Sequence, residues 1–121
     1  MSGYFDGWIA VDFDGTLVEY NEWIGPTHIG EAIVPMVDRV RVWLKEGKNV
    51  RIFTARVYAP NDDSSRQMDA AMAMRAIQDW CFKQFQRFLP VTCVKDFGMI
   101  ELWDDRCVQV EKNTGKLLVG A

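Results

Sequence analysis

The sequence has a single histidine, His28, and its three cysteines, Cys81, Cys93 and Cys107, form no CxxC pair. That scarcity leaves no His/Cys cluster for zinc. An odd, scattered set of thiols also argues against a disulfide frame, so reduced cysteines in a cytoplasmic protein are the expectation. No apolar run approaches the roughly 20 residues of a membrane-spanning helix. The opening MSGYFDG has neither a basic flank nor an apolar stretch, so no signal peptide is expected. Basic residues are not in excess either. With 14 Lys and Arg against 17 Asp and Glu, the net charge is -3, which gives no general electrostatic footprint for nucleic acid. Repeats, linkers and low-complexity segments are lacking, so 121 residues read as one domain spanning 1–121. What is present is ordinary for a globular chain: 49% hydrophobic and 26% charged residues, too apolar for disorder.

Strand and helix patterns alternate. WIAVD, from Trp8, is a continuous apolar run ending in a carboxylate, as a parallel strand covered on both faces would read. Residues 17–28 are irregular, with a turn signal at Gly25-Pro26. Ile33, Met36, Val37, Val40, Trp43 and Leu44 recur at helical spacing, which predicts a helix over about 30–46 with Gly47 as its stop. NVRIFTAR reads as a second strand. A helix capped by Ser64 or Ser65 is predicted to run to about Phe88, with Met68, Met72, Ala76 and Trp80 as one apolar stripe and Ile77, Cys81, Phe85 and Phe88 as its neighbour. VTCV and MIELWDD read as third and fourth strands, and a closing hairpin turns around Asn113 to Gly115. The alternation predicts an α/β domain: three-layer, Rossmann-like, with a mostly parallel central sheet.

Polar residues follow the apolar strands. Asp12 and Asp14 end the first, Thr54 the second, Lys95 follows the third, and Asp104 and Asp105 end the fourth. Ligands of open parallel sheets bind beyond the carboxyl ends of the strands, so these side chains, distant in sequence, are expected in one crevice. Taken singly, each has a plainer explanation as a turn residue, helix cap or surface charge. As a set they create a problem of crowding, because two like charges about 4 Å apart repel by about 4 kcal/mol even at an effective dielectric of 20. The carboxylates must share protons or hold a divalent cation, and a small all-oxygen site suits Mg²⁺. DFDGTL is not an EF-hand loop, since it lacks the third acidic position and the terminal Glu.

These residues resemble the four motifs of the haloacid dehalogenase (HAD) superfamily of phosphatases and phosphotransferases. DFDGTL looks like motif I, VRIFTAR with Thr54 like motif II, Lys95 like motif III, and ELWDDR with Asp104 and Asp105 like motif IV, in the family's order. The resemblance implies a Mg²⁺-dependent phosphatase. Asp12 would be the nucleophile that forms an aspartyl-phosphate, and Asp14 the general acid and then base. Thr54 and Lys95 would neutralise the phosphoryl oxygens. The metal would be held by Asp12, the backbone carbonyl of Asp14, Asp104 and Asp105. Gly15 would let the chain turn sharply and approach phosphate closely, Thr16 would fix that turn, and Arg56 would contact substrate or pair with Asp62 or Asp63.

Two departures from the family pattern bear on substrate. Only DFGMI separates Lys95 from Glu101, too little for the helix that usually positions the motif III lysine, and Lys83 is the substitute candidate. Neither gap between motifs has room for a cap domain, so the site is expected to be open, as in capless members that act on large substrates or borrow cover from a second copy in a homo-oligomer. Nucleotide, sugar phosphate, nucleic-acid end and phosphoprotein all stand as substrates, the nucleic-acid end without support from net charge. Trp23 and His28 in the 18–29 flap are candidates to meet substrate, a tryptophan packed on the core being the plainer reading for Trp23, and Arg106 reads as structural. Two other readings compete: a receiver-like phosphotransfer module, and a catalytically silent HAD-like binding protein.

Overall fold

The computed structural model describes residues 7–118. It has a four-stranded parallel sheet in the order β3-β2-β1-β4, with β1 at Trp8–Asp12, β2 at Val50–Phe53, β3 at Val91–Thr92 and β4 at Met99–Trp103. The two helices are α1, Val34–Lys45, and α2, Ser64–Phe85. The four leading residues of β1 are all buried, as its apolar run requires of an interior strand.

One core organises the fold. Ile9 and Val11 of β1 lie in register with Val50 and Ile52 of β2, so these four side chains share a sheet face. Val37, Val40, Trp43 and Leu44 of α1 and Ile77, Cys81 and Phe85 of α2 join the same buried cluster. Handedness explains the shared side: β1 to β2 to β3 steps across the sheet in one direction, and right-handed crossovers then place both helices on one face. The return from β3 to β4 is a short non-helical link, 93–98, that meets the other face. There Asp96 accepts a 2.8 Å hydrogen bond from the Trp8 indole, and the Arg51 guanidinium lies 4.5 Å from the Trp8 ring centroid. Ile100 and Leu102 of β4, on that second face, stay exposed.

Helix boundaries differ from the sequence pattern for local reasons. α1 starts at Val34 rather than near Gly30, because Ala32 bridges to Val18 and the Ile33 amide donates to the Leu17 carbonyl, which keeps 32–33 extended. The cap of α2 is Asp63, whose carboxylate accepts from the Arg66 amide at 3.0 Å, in place of either serine. Gln86, in the left-handed conformation at φ 57°, ends α2 three residues before Phe88. The Met stripe is corrected too. Met68 and Met72 are exposed, Trp80 of the same stripe packs partly buried against the core and edge-on to Phe13, and the fully buried face is the Ile77, Cys81, Phe85 stripe extended by Ala70 and Ala73. Phe88 is exposed and stacks on Phe82. The expected C-terminal hairpin reduces to a bridge between Val110 and Leu117, with Asn113 and Gly115 both at positive φ in its turn.

Ile77→Ala should therefore cost about 2–5 kcal/mol in urea unfolding, whereas Met68→Lys and Met72→Lys should each stay within about 0.5 kcal/mol of wild type.

Candidate active site at the carboxyl edge of the sheet

Parallel pairing decides which polar residues meet. Asp12 lies opposite Phe53, and Val11 opposite Trp103. The residues that follow these partners, Thr54 after β2 and Asp104-Asp105 after β4, therefore reach the same edge as Asp12. One carboxylate oxygen from each of Asp12, Asp104 and Asp105 lies within 4.8 Å of the others. Burial pushes the Asp12 carboxyl from the ordinary 3.8 up to about 7, and the Asp104 charge and a hydrogen bond with Asp105 push the same way. A cluster that hard and oxygen-rich fits Mg²⁺ far better than zinc, and a cation there would relieve the repulsion.

The turn after β1 is built around the acids. Thr16 is buried, and its hydroxyl lies 3.5 Å from Asp12 Oδ2 and 3.4 Å from Asp105 Oδ1. The Phe13 carbonyl accepts from the amides of Thr16, Leu17 and Val18, and the Gly15 amide donates to the Val18 carbonyl. Gly15 sits at φ 86°, and a Cβ there would come within 2.5 Å of Asp105 Oδ2. Glycine is thus required twice, for the turn and for the approach of Asp105.

Asp14 stands apart from the cluster. Its two carboxylate oxygens accept a bidentate fork from Arg56, from Nε and Nη2 at 2.8 Å each. That leaves the backbone carbonyl of Asp14, rather than its side chain, for a metal. Arg56 also donates from Nη1 to the Pro26 carbonyl at 3.1 Å, and its guanidinium lies 5.1 Å from the Trp23 ring centroid and 5.8 Å from that of Phe13. One buried arginine therefore ties the turn after β1, the turn after β2 and the 18–29 flap together. It pairs with Asp14, not with Asp62 or Asp63, and Trp23 covers it from outside instead of packing into the core. Thr54 is buried, and its hydroxyl accepts from the Arg56 amide at 3.2 Å, so it also shapes the turn that presents Arg56.

Lys95 is not brought to this cluster. It is exposed, lies outside the cavity lining, and adjoins Asp96, which is bound to Trp8 at the opposite, amino end of β1. The reason is the short link: with no helix between β3 and β4, residues 93–98 must run straight back across the sheet. Lys83 is exposed in the last turn of α2 and does not line the cavity either.

The site opens into a cavity of about 530 Å³ lined by Asp12, Asp14, Thr54, Arg56 and Asp105. Tyr20 and Trp23 from the flap, Tyr58 after the Ala55–Val57 turn, and Arg66 and Asp69 from the first turns of α2 complete its wall, with Arg106 beside Asp105. Sequence reasoning did not assign Tyr20, Tyr58, Arg66 or Asp69 to the site. Their one signal was position, since all four lie in or next to the segments that follow motifs I and II.

No family model and no curated protein matches the chain. The fold is similar to a solved structure of a conserved protein from Bacteroides thetaiotaomicron, at 22% identity and a TM-score of 0.54, over 84% of this chain and 78% of that one. The likeness is one of fold, a small α/β domain with a parallel sheet.

The Asp12 carboxyl has a higher proton affinity in the folded than in the unfolded chain, so without divalent cation it costs stability as pH rises from about 4 to 7. Between pH 5 and 8 in EDTA, wild type should lose roughly 1–2 kcal/mol more than Asp12→Asn, a figure discounted because the site is open to solvent. Millimolar Mg²⁺ should restore wild type at pH 8 but not the variant. Gly15→Ala should lower the unfolding free energy measured in urea by more than about 1 kcal/mol and weaken the Mg²⁺ effect.

Proposed function

We propose that the protein is a Mg²⁺-dependent phosphatase of HAD type that cleaves phosphomonoesters through an aspartyl-phosphate on Asp12. The observation that carries this reading is the convergence of Asp12, Asp104 and Asp105 within 4.8 Å at the carboxyl edge of a parallel sheet. Thr54 and Asp14 line the same cavity. The fold reading goes with it: a Rossmann-like, HAD-type domain without a cap, whose third layer would lie on the face of Trp8 and Ala10.

When bound, Mg²⁺ would neutralise phosphoryl charge and keep Asp12 ionised, with Asp12, Asp104, Asp105 and the Asp14 backbone carbonyl holding it. Asp12 Oδ attacks phosphorus, the ester P–O bond breaks, and the leaving oxygen takes a proton from the Asp14 carboxyl. Water then attacks the phosphorus of the acyl phosphate and gives its proton to the Asp14 carboxylate. The bond from phosphorus to Asp12 breaks, and inorganic phosphate leaves. For this work Asp14 must loosen one arm of its fork with Arg56 when substrate arrives. Arg56 otherwise acts as a positioning residue that fixes where Asp14 stands. Thr54 offers its hydroxyl to a phosphoryl oxygen, and the cationic role falls to an arginine of the cavity instead of Lys95.

Purified protein should hydrolyse p-nitrophenyl phosphate with Mg²⁺ and lose that activity in EDTA. Asp12→Asn should abolish turnover with its circular dichroism unchanged. Lys95→Ala should retain activity within about twofold, because that side chain is outside the cavity. Arg56→Lys keeps the charge but loses the fork, and should lower kcat by about ten- to a hundredfold while shifting the acid–base limbs of the pH profile.

One observation favours a second reading. With both Asp14 oxygens held by Arg56 and no lysine in the cavity, the site also suits a silent protein that binds metal and phosphate. Inertness of the Mg²⁺ form across a broad panel of phosphomonoesters, with calorimetric binding of inorganic phosphate retained, would decide for it.

A further inference from the structure

The cavity is larger and more aromatic than phosphoryl transfer alone requires. A phosphate occupies a small part of about 530 Å³, a volume suited to a whole small molecule. Tyr20, Trp23 and Tyr58 line it while remaining 45%, 53% and 56% exposed. One exposed aromatic on a surface is unremarkable, but three around the cavity that holds Asp12 form a wall. Trp23 is also placed. One side of its indole faces the Arg56 guanidinium, and Arg56 is fixed by Asp14 and the Pro26 carbonyl. The distance from that ring to the phosphoryl-transfer residues is therefore set by a chain of short contacts, even though the ring is in a loop.

With Mg²⁺ at the acidic cluster, the charges around the wall would be complementary to a dianion carried on a neutral polar body. Arg66 and Arg106 line the cavity and make no ion pair among the described residues, so their guanidinium groups are available to a phosphate. Asp69, on the same helix as Arg66, can accept from a hydroxyl or an exocyclic amine.

Resting on the phosphatase reading above, we infer that the substrate is a nucleoside monophosphate, its base stacked on Trp23 and Tyr58 and its phosphate at Asp12. A sugar phosphate has no π-face to use such a wall, whereas every nucleobase has one. Hydrolysis consumes water and yields the nucleoside and inorganic phosphate, with the bridging oxygen kept on the ribose and protonated from Asp14. The 5′ and 3′ esters share this chemistry, and the assay separates them.

The test measures phosphate release by the full chain with Mg²⁺ from 5′- and 3′-AMP, 5′-GMP, 5′-CMP, ribose 5-phosphate, O-phosphotyrosine and p-nitrophenyl phosphate. One of the two AMP isomers should exceed ribose 5-phosphate in kcat/KM by about tenfold or more, the scale of one stacked base. Trp23→Ala should bring the ratio of kcat/KM for AMP over that for ribose 5-phosphate down to near one, and Trp23→Phe, which keeps a π-face, should hold most of that ratio. Equal kcat/KM for AMP and ribose 5-phosphate, an equal loss on both in Trp23→Ala, or a preference for O-phosphotyrosine would each overturn the nucleotide assignment while sparing the phosphatase reading. If no compound is hydrolysed, the phosphatase reading fails, and calorimetry with AMP decides the site separately. Binding lost in Trp23→Ala keeps a nucleotide site, and no binding to wild type removes it.

Discussion

Mutual repulsion among Asp12, Asp104 and Asp105 is the constraint around which this small fold is organised. One oxygen from each of these carboxylates lies within 4.8 Å of the others, and like charges that near repel. They stay together because the parallel ladder between β1 and β4 sets Val11 against Trp103 and brings the next residue of each strand to one edge. The buried run of Trp8 to Val11 keeps that ladder rigid, and the T-shaped pair of Trp43 and Trp103 anchors the end of β4 to α1. Hydrophobic burial along the strands thus opposes the electrostatic cost at their ends. A bound cation would lower that cost, and the Asp12 carboxyl is pushed up first by its burial and then by the Asp104 charge.

Arg56 is the second organising group, and it works by satisfying acids instead of crowding them. Its fork holds Asp14 away from the three-carboxylate cluster, so Asp12 and Asp14 end in different electrostatic surroundings although one residue separates them. Asp12 is crowded by negative charge, and Asp14 is matched by a cation. The phosphatase reading proposed above needs such a difference between its nucleophile and its proton carrier, and the difference comes from one side chain 42 positions away. The same guanidinium fastens the flap through Pro26 and Trp23, so the cavity wall and the chemistry share an anchor.

Much of this was legible in the sequence, for identifiable reasons. β1 could be read because continuous burial leaves a continuous apolar run, and the carboxyl-edge residues Asp12, Thr54, Asp104 and Asp105 could be grouped because parallel strands deliver their ends to one place. Gly15 was expected to allow a close approach, and the close neighbour proves to be the Asp105 carboxylate. Other features were hidden because they depend on which side of an element faces what. The Met stripe of α2 has the right period but the wrong side, and periodicity cannot say which of two adjacent stripes meets the sheet. Lys95 matched a motif in order, yet the length of the link after β3 determined where it went. The Asp14–Arg56 pair left no local trace, since both residues sit in turns that only the folded sheet brings together.

The late position of β4 has a consequence for how the molecule comes into being. Thr16 and Asp105, which meet beneath the site, are 89 residues apart, and β4 is the last strand along the described chain. Closing so long a loop is entropically slow, and here the closing contact also drives carboxylates together. A chain emerging from synthesis can pair β1 with β2, and bury α1 and α2 against them, before Asp104 exists. The half-built protein is then spared the acidic cluster, and its charge conflict arises only at the final step. A divalent cation that binds only the completed edge would act at that moment as a folding ligand, drawing the last strand home by mass action.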